Sequence, residues 1–232
     1  FLIMCGIAGF LTKKHLNNNQ LKEIAQLMCN ELVHRGPNSS GEWSNENSGI
    51  SLGHRRLSII DLSLSGHQPM HSHSGRFIIS FNGEIYNFKK LREESKSKGY
   101  RFTSQTDSEV IVYAYEEWSE TFVEKLEGMF ALAIWDQREN KLLLARDRLG
   151  IKPLYYFQSS EYFAFASEVK AFLPLRDYGF PISIDEESAS LFLDFSFIPD
   201  SEKTMIRHVK KLQPGHQLII NNGKISKHKY WE

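Results

Sequence analysis

The hydrophobic pattern of the chain changes period several times. Cys5 to Leu11 is a short apolar run containing glycines, and it reads as a buried strand close to the chain start. From Asn19 the apolar positions Leu21, Ile24, Ala25, Met28 and Leu32 recur at helical spacing, and Arg35-Gly36-Pro37 supplies the glycine and proline that stop a helix. Short β-branched and aromatic runs follow over Gly49 to Ile60 and Arg76 to Phe81, separated by polar stretches as strands of a sheet would be. A second helix is predicted over Asn87 to Lys98. A third is predicted from Thr106, where Thr-Asp-Ser-Glu offers a capping box ahead of Val110, Ile111, Ala114 and Trp118. Met129 to Trp135 and Lys141 to Arg146 predict a hairpin closed by Asp136 to Asn140, with further strands at Leu154 to Phe157 and Tyr162 to Ala166.

Strands, then helices, then strands again indicate an α+β layered fold with largely antiparallel sheets rather than a doubly wound parallel one. After about Leu193 the pattern loosens, and Pro214-Gly215 marks a connection. The chain ends on Tyr230-Trp231-Glu232, which suggests that the natural protein continues.

Composition narrows the function classes. With 232 residues, 41% hydrophobic and 24% charged, the chain has the make-up of an ordinary globular domain. Lys plus Arg and Asp plus Glu balance at 28 each, so no field gathers a polyanion and nucleic acid is not an expected partner. No apolar run approaches the roughly 18 residues that span a bilayer, so no membrane contact is expected and the cytoplasm is the default location. Nine histidines show no metal-ligand spacing; the densest group, His67, His71 and His73, reads as polar loop, and no metal is expected.

Two cysteines are too few for a disulfide framework. Cys29 sits inside the amphipathic helix beside Met28 and reads as core. Cys5 follows Met4, so removal of everything through Met4 would put a thiol beside its own α-amine. An α-amine has a pKa of about 7.7–8.0, low enough to accept the thiol proton at physiological pH. The thiolate could then attack an amide carbonyl and form a thioester.

Cys5-Gly6-Ile7-Ala8-Gly9-Phe10, His34-Arg35-Gly36-Pro37 and Gly53-His54-Arg55-Arg56-Leu57-Ser58-Ile59-Ile60-Asp61 together resemble class II glutamine amidotransferases. Gln68-Pro69-Met70, Phe81-Asn82-Gly83-Glu84-Ile85-Tyr86-Asn87, Thr106-Asp107-Ser108-Glu109, Glu127-Gly128-Met129-Phe130-Ala131, Ala145 to Tyr156 and Phe165-Ala166-Ser167-Glu168 resemble the glutamine-hydrolysing asparagine synthetases in particular. Each block alone is weak; so many in order is a specific signal. The resemblance implies an N-terminal-nucleophile hydrolase fold, a four-layer αββα sandwich of two mainly antiparallel sheets between helices. It also implies a glutaminase domain over 4–194 and a connecting segment over 195–232 leading to an ATP-dependent synthetase domain.

The same resemblance makes Cys5 the nucleophile and gives Asn82 (side-chain amide) and Gly83 (backbone N–H) the oxyanion hole. Arg56 would hold the α-carboxylate of glutamine and Asp107 its α-ammonium, with Glu84 helping to hold the substrate. A guanidinium fork suits a carboxylate and an aspartate compensates an ammonium. On the residues alone, Asn82-Gly83 reads more readily as a tight hairpin turn, and Asp107 as a helix cap. Arg146-Asp147-Arg148 reads as a solvated edge, and Arg148 to Pro153 as a turn shaping the site or facing a partner domain.

The sequence departs from the family at its start, where Phe1-Leu2-Ile3-Met4 precede the cysteine; the expected natural start is Met4, removed in maturation. No SGGxD, GxxxxGK[ST] or GxGxxG loop is present, so no cofactor is expected in this chain, and ATP and Mg are expected only in the synthetase domain. Expected partners are glutamine and that domain of the same polypeptide; a homodimer stays open. Three functions are carried forward: a glutaminase serving asparagine synthesis, a glutaminase serving another acceptor, and a glutamine-binding domain inactive because Cys5 is blocked.

Overall fold

The computed structural model describes residues 4–57, 66–200 and 202–232. Phe1-Leu2-Ile3 and the Ser58-Ile59-Ile60-Asp61 part of the third motif lie outside them. The strands are β1 (Gly6–Thr12), β2 (Ser39–Asn45), β3 (Ile50–Arg56), β4 (Met70–His71), β5 (Phe77–Ile85), β6 (Gly128–Asp136), β7 (Lys141–Arg146), β8 (Tyr155–Gln158), β9 (Tyr162–Ala166), β10 (Val209–Lys211), β11 (His216–Asn221) and β12 (Lys224–Lys229). The helices are α1 (Asn18–Asn30), α2 (Phe88–Ser97), α3 (Asp107–Trp118), α4 (Phe122–Lys125) and α5 (Glu186–Phe195), with a 3-10 helix over Val169–Tyr178.

The strands form two six-stranded antiparallel sheets, ordered β10-β8-β9-β1-β3-β2 and β12-β11-β7-β6-β5-β4. Alternation along each strand sorts the side chains into three apolar clusters. Ile7, Leu52, Ile78, Ala131, Trp135 and Leu144 fill the space between the sheets. Ala8, Phe10, Leu21, Ile24, Met28 and Phe172 join the first sheet to α1 and the 3-10 helix. Phe77, Ile79, Phe81, Val110, Ile111 and Phe122 join the second sheet to α3 and α4. The result is the expected four-layer αββα sandwich.

Helix α1 starts with a capping box that the apolar pattern does not reveal: Asn17 Oδ1 accepts from Gln20 N at 3.0 Å while Gln20 Oε1 accepts from Asn17 N at 3.0 Å. The box expected at Thr106 is not formed. The Glu109 carboxylate is instead taken by the backbone N–H groups of Thr103 and Ser104, each at 2.7 Å, because the tight loop before α3 brings those donors closer.

Two further expectations are corrected. The segment over 195–232 is not a connection: β10 pairs with β8 on the edge of the first sheet, and β11 and β12 extend the second beyond β7. Leu218 and Ile220 face the space between the sheets, so without this segment both would lose an edge and part of that core. Arg146-Asp147 is not a solvated edge either. Arg146 is 7% and Asp147 0% exposed, and the Arg146 guanidinium donates to the carbonyls of Lys152 (2.8 Å), Leu212 (2.6 Å) and Gly150 (2.7 Å). The Asp147 carboxylate accepts from the N–H groups of Phe130, Leu149, Ile151 and Lys152. Charge alternation signalled solvent, but each charge is spent on backbone groups that a buried turn would otherwise leave unpaired.

Candidate active site

Cys5 lies just before β1. Ile7 faces the inter-sheet core, and two-residue periodicity turns Cys5 to the same side. Its Sγ accepts from Leu57 N at 3.3 Å, its carbonyl accepts from Arg35 Nε at 3.0 Å, and Arg35 is itself held by Glu168 at 2.9 Å. Two residues on, Ile7 and Ser167 exchange hydrogen bonds of 2.9 Å, which fixes the start of the strand. Burial pushes the Cys5 thiol above its ordinary value, while the Leu57 N–H and the cations of Arg56, Lys152 and Arg35 pull it down; the net direction is up. At rest this cysteine holds its proton, and a base is needed to make it a nucleophile.

Asn82 and Gly83 sit in the middle of β5, opposite Ala131 and Phe130 of β6, so the hairpin-turn reading fails. Asn82 has the parity of Ile78 and Ser80 and is turned toward the first sheet; it is 1% exposed. Its Nδ2 amide is buried with no hydrogen-bond partner among the described residues. A buried unpaired donor costs about 1–3 kcal/mol and calls for a reason.

Three contacts hold the strand on either side. His54 Nε2 reaches across from β3 to the Phe81 carbonyl at 3.0 Å, Gln68 Oε1 accepts from Phe81 N at 2.6 Å, and Asp107 Oδ2 accepts from Ile85 N at 3.0 Å. In an antiparallel pair, alternate residues direct their N–H and C=O groups to alternate sides. The bonds from Phe81 and Ile85 therefore identify the side of β5 away from β6, and Gly83 N–H, midway between them, points the same way. A side chain at Gly83 would collide with Met129 and Phe130, so only glycine lets the two backbones pass this closely.

Arg56 ends β3, and its guanidinium lies against Gly66 beside the Thr106 methyl, placing the cation near the start of α3. Asp107 is the first residue of α3 and 7% exposed; burial raises its carboxyl while the N–H groups of Ile85, Asp107 and Ser108 lower it, and the nearby Glu84 charge raises it further. Glu84 is exposed on β5. Lys152, 5% exposed, acts electrostatically on both Cys5 and Glu84, linking the two sides of the site. The expected residues thus gather at one end of the sandwich, with Arg56, Glu84 and Asp107 around one corner and Cys5 facing the strand that carries Asn82.

The residue types alone pointed to neither the clamp formed by His54 and Gln68 nor the roles of Lys152 and Arg35. The order of Gly53-His54-Arg55-Arg56 and Gln68-Pro69-Met70 was a signal that these positions matter, but not what they touch. Among the described residues no three His, Cys, Asp or Glu side chains converge as a metal site; His71 packs edge-on against Trp43 at the outer strand pair. No described helix is long and apolar enough to cross a membrane.

Residues 4–231 match the family described as the glutamine amidotransferase domain. The chain belongs to the glutamine amidotransferase domain family. Asparagine synthetase [glutamine-hydrolyzing] 1 of Bacillus subtilis (strain 168) is 40% identical over 218 residues, covering 94% of this chain and 33% of that protein. Amidase chry2 of Gibberella zeae is 34% identical over 238 residues, covering 99% of this chain and 34% of that protein. The amidotransferase domain thus spans about a third of the length of these relatives. The structure of a glutamine phosphoribosylpyrophosphate amidotransferase from B. subtilis superposes with a TM-score of 0.71 at 17% identity, over 97% of this chain and 49% of that one, which establishes the shared fold. The match through residue 231 agrees with the packing of β10 to β12 into the sheets.

Proposed function

We propose that this domain hydrolyses glutamine to glutamate and ammonia, with Cys5 as the nucleophile once its nitrogen is a free α-amine. The observation that carries the reading is the buried Asn82 Nδ2, unpartnered among the described residues and held in mid-strand on the inter-sheet face. An orphan donor there is explained if the charge it stabilises exists only during reaction.

Glutamine is held at its α-carbon by Arg56 on the carboxylate and Asp107 on the ammonium, with Glu84 at the rim. The buried Asp107 carboxylate supports this, since an arriving ammonium would offset the burial that raises its pKa. The α-amine takes the Cys5 proton and the thiolate adds to the side-chain amide carbon. The oxyanion of the tetrahedral intermediate is met by Asn82 Nδ2 and Gly83 N–H. Collapse expels ammonia with the proton returned by the amine, leaving a thioester. Water activated by the same amine cleaves it and releases glutamate. With Met4 attached, the nitrogen is an amide and accepts no proton, so the reading requires removal of all residues through Met4.

In the full-length protein the ammonia is passed to a further domain that uses ATP and Mg to amidate aspartate. The relatedness to asparagine synthetase [glutamine-hydrolyzing] 1 of B. subtilis supports this. A second reading keeps the glutaminase and changes the acceptor to another carboxylate, and the similarity to amidase chry2 favours it. Glutamate release by the full-length protein, together with its intact mass, tests the first step. A protein that retains Phe1 at full activity refutes the role of the amine. Product analysis with aspartate against other carboxylates separates the two acceptors.

A further inference from the structure

Lys152 is a buried cation to which the proposed reaction gives no step of its own. Its Nζ lies 2.7 Å from Sδ of Met4, the residue bonded directly to the Cys5 nitrogen. A thioether is a weak acceptor and does little to compensate a buried ammonium. What holds the lysine is its backbone, whose N–H donates to Asp147 Oδ2 at 2.9 Å and whose carbonyl accepts from Arg146 Nε at 2.8 Å, with Pro153 following. A rigid turn thus anchors the lysine, and its cation reaches the side chain of Met4, whose carbonyl carbon is bonded to the Cys5 nitrogen.

The charged and titratable groups around it come from each neighbouring element. Arg35, after α1, touches the Cys5 carbonyl and is balanced by Glu168, which follows β9. Arg56 ends β3, and Glu84 on β5 is exposed. Asp107 opens α3 and is engaged by Ile85 N. Asp147 after β7 has its carboxylate bonded to four backbone N–H groups. Tyr155 starts β8 beside Arg146. Arg35 is paired with Glu168, whereas Lys152 has no carboxylate within ion-pair distance among the described residues.

We propose that Lys152 is a positioning residue that keeps the α-amine of mature Cys5 in its neutral, proton-accepting form. The inference rests on the reading of Cys5 as an N-terminal nucleophile. A protonated α-amine would set a second cation near the buried Lys152 ammonium, which favours the loss of one proton. The α-amine, with an ordinary pKa of about 7.7–8.0 against about 10.4 for lysine, gives it up first. The amine is then free at neutral pH to take the thiol proton, while the lysine stays charged and favours the thiolate. This meets the requirement set by the burial of Cys5, whose thiol does not ionise unaided.

The test is the pH dependence of kcat/KM for glutamate release by the full-length protein with Cys5 as its verified first residue, in wild type, Lys152→Met and Lys152→Arg. Lys152→Met should move the acid limb up by about one pH unit, with activity recovering at higher pH, and Lys152→Arg should restore the wild-type limb. A uniform loss at every pH with the limb unmoved would make Lys152 merely structural and overturn the proposal. Should Lys152→Met not fold, titration of the α-amine in wild-type protein carrying 15N-cysteine decides: a value below about 7.7 supports the proposal, and one at or above 8.0 defeats it. Wild-type protein with a free Cys5 and no glutaminase activity at any pH would refute the parent function, and the same titration would still judge Lys152.

Discussion

The two cysteines of this chain both lie against the first sheet, Cys29 buried and Cys5 half-buried, yet their surroundings suit only Cys5 to chemistry. Cys29 projects from α1 onto the outer face of that sheet, where a side chain at Gly53 of β3 would strike its sulfur; it is 1% exposed. Burial pushes its thiol up to about 12, the Glu42 charge adds to that, and Arg55 offers a small counterweight. Cys5 lies at the end of the same sheet, on its inner side, and burial raises its thiol too. The difference is in the surroundings: a backbone N–H on the sulfur, three cations within reach, and an opposing strand with an unpaired amide donor. Burial by itself makes a thiol inert. A reactive one needs burial together with groups that favour its charged form and the charge it creates.

The comparison breaks most sharply under alanine substitution. Cys5→Ala should abolish glutamate release, a loss on the order of 10⁴-fold or more, with thermal stability retained. Cys29→Ala should leave the rate within about threefold and lower stability by about 1–2 kcal/mol through the small cavity it opens. Comparable activity losses in the two variants would end the distinction. Next in size, Asn82→Ala should lower kcat by about 10²–10³ with little change in KM. Its melting temperature should hold or rise, because a buried unpaired donor is removed. A loss of stability with unchanged kcat would assign Asn82 to the scaffold.

A third effect concerns the tie behind Asn82. His54 is fully buried and its pKa is lowered to about 3, chiefly by burial, with the bond to the Phe81 carbonyl opposing. Since its folded value lies below the ordinary 6.5, the unfolded chain binds the proton first as pH falls. This contribution to stability is complete above pH 6.5 and shrinks by about 1.4 kcal/mol per unit between there and pH 3. Urea titrations from pH 7 to 4 should show that slope in wild type and a shallower one in His54→Gln; equal slopes would remove His54 as its source.

The smallest effect is again at Cys29. Its folded pKa is raised, so its contribution is complete below about pH 9 and is lost as pH climbs toward 12. Iodoacetamide at pH 8 should accordingly label native protein at Cys5 and spare Cys29, as read by peptide mass. Equal labelling would show that the two environments are not distinct in solution.

Much of this site is legible in the residue order, and the parts that are not have a common cause. Motifs record which residues a family keeps together, so Cys5, Arg56, Asn82, Gly83, Glu84 and Asp107 could be named before any geometry was known. Their neighbours escaped because each acts through a partner on another element: His54 on Phe81 from the opposite sheet, and Gln68 on the same residue from the other side. The stretch over 195–232 misled for a related reason. Its strands are short, and β12 shows no apolar alternation, since Lys224, Ser226, Lys227, His228 and Lys229 are exposed on both of its faces. Such an edge strand looks like a linker until its pairing with β11 is seen.

The sequence by itself determined the layers, because hydrophobic period and punctuation are local and each strand or helix must bury its apolar side. It also named the candidate reacting groups. Only the tertiary structure decided that Asn82 is a mid-strand donor unpaired among the described residues rather than a turn residue, and that the buried Lys152 lies against Met4, the residue bonded to the nitrogen of Cys5. Charge, burial and hydrogen bonding act through space, and the distances that set them exist only once the two sheets have closed on one another.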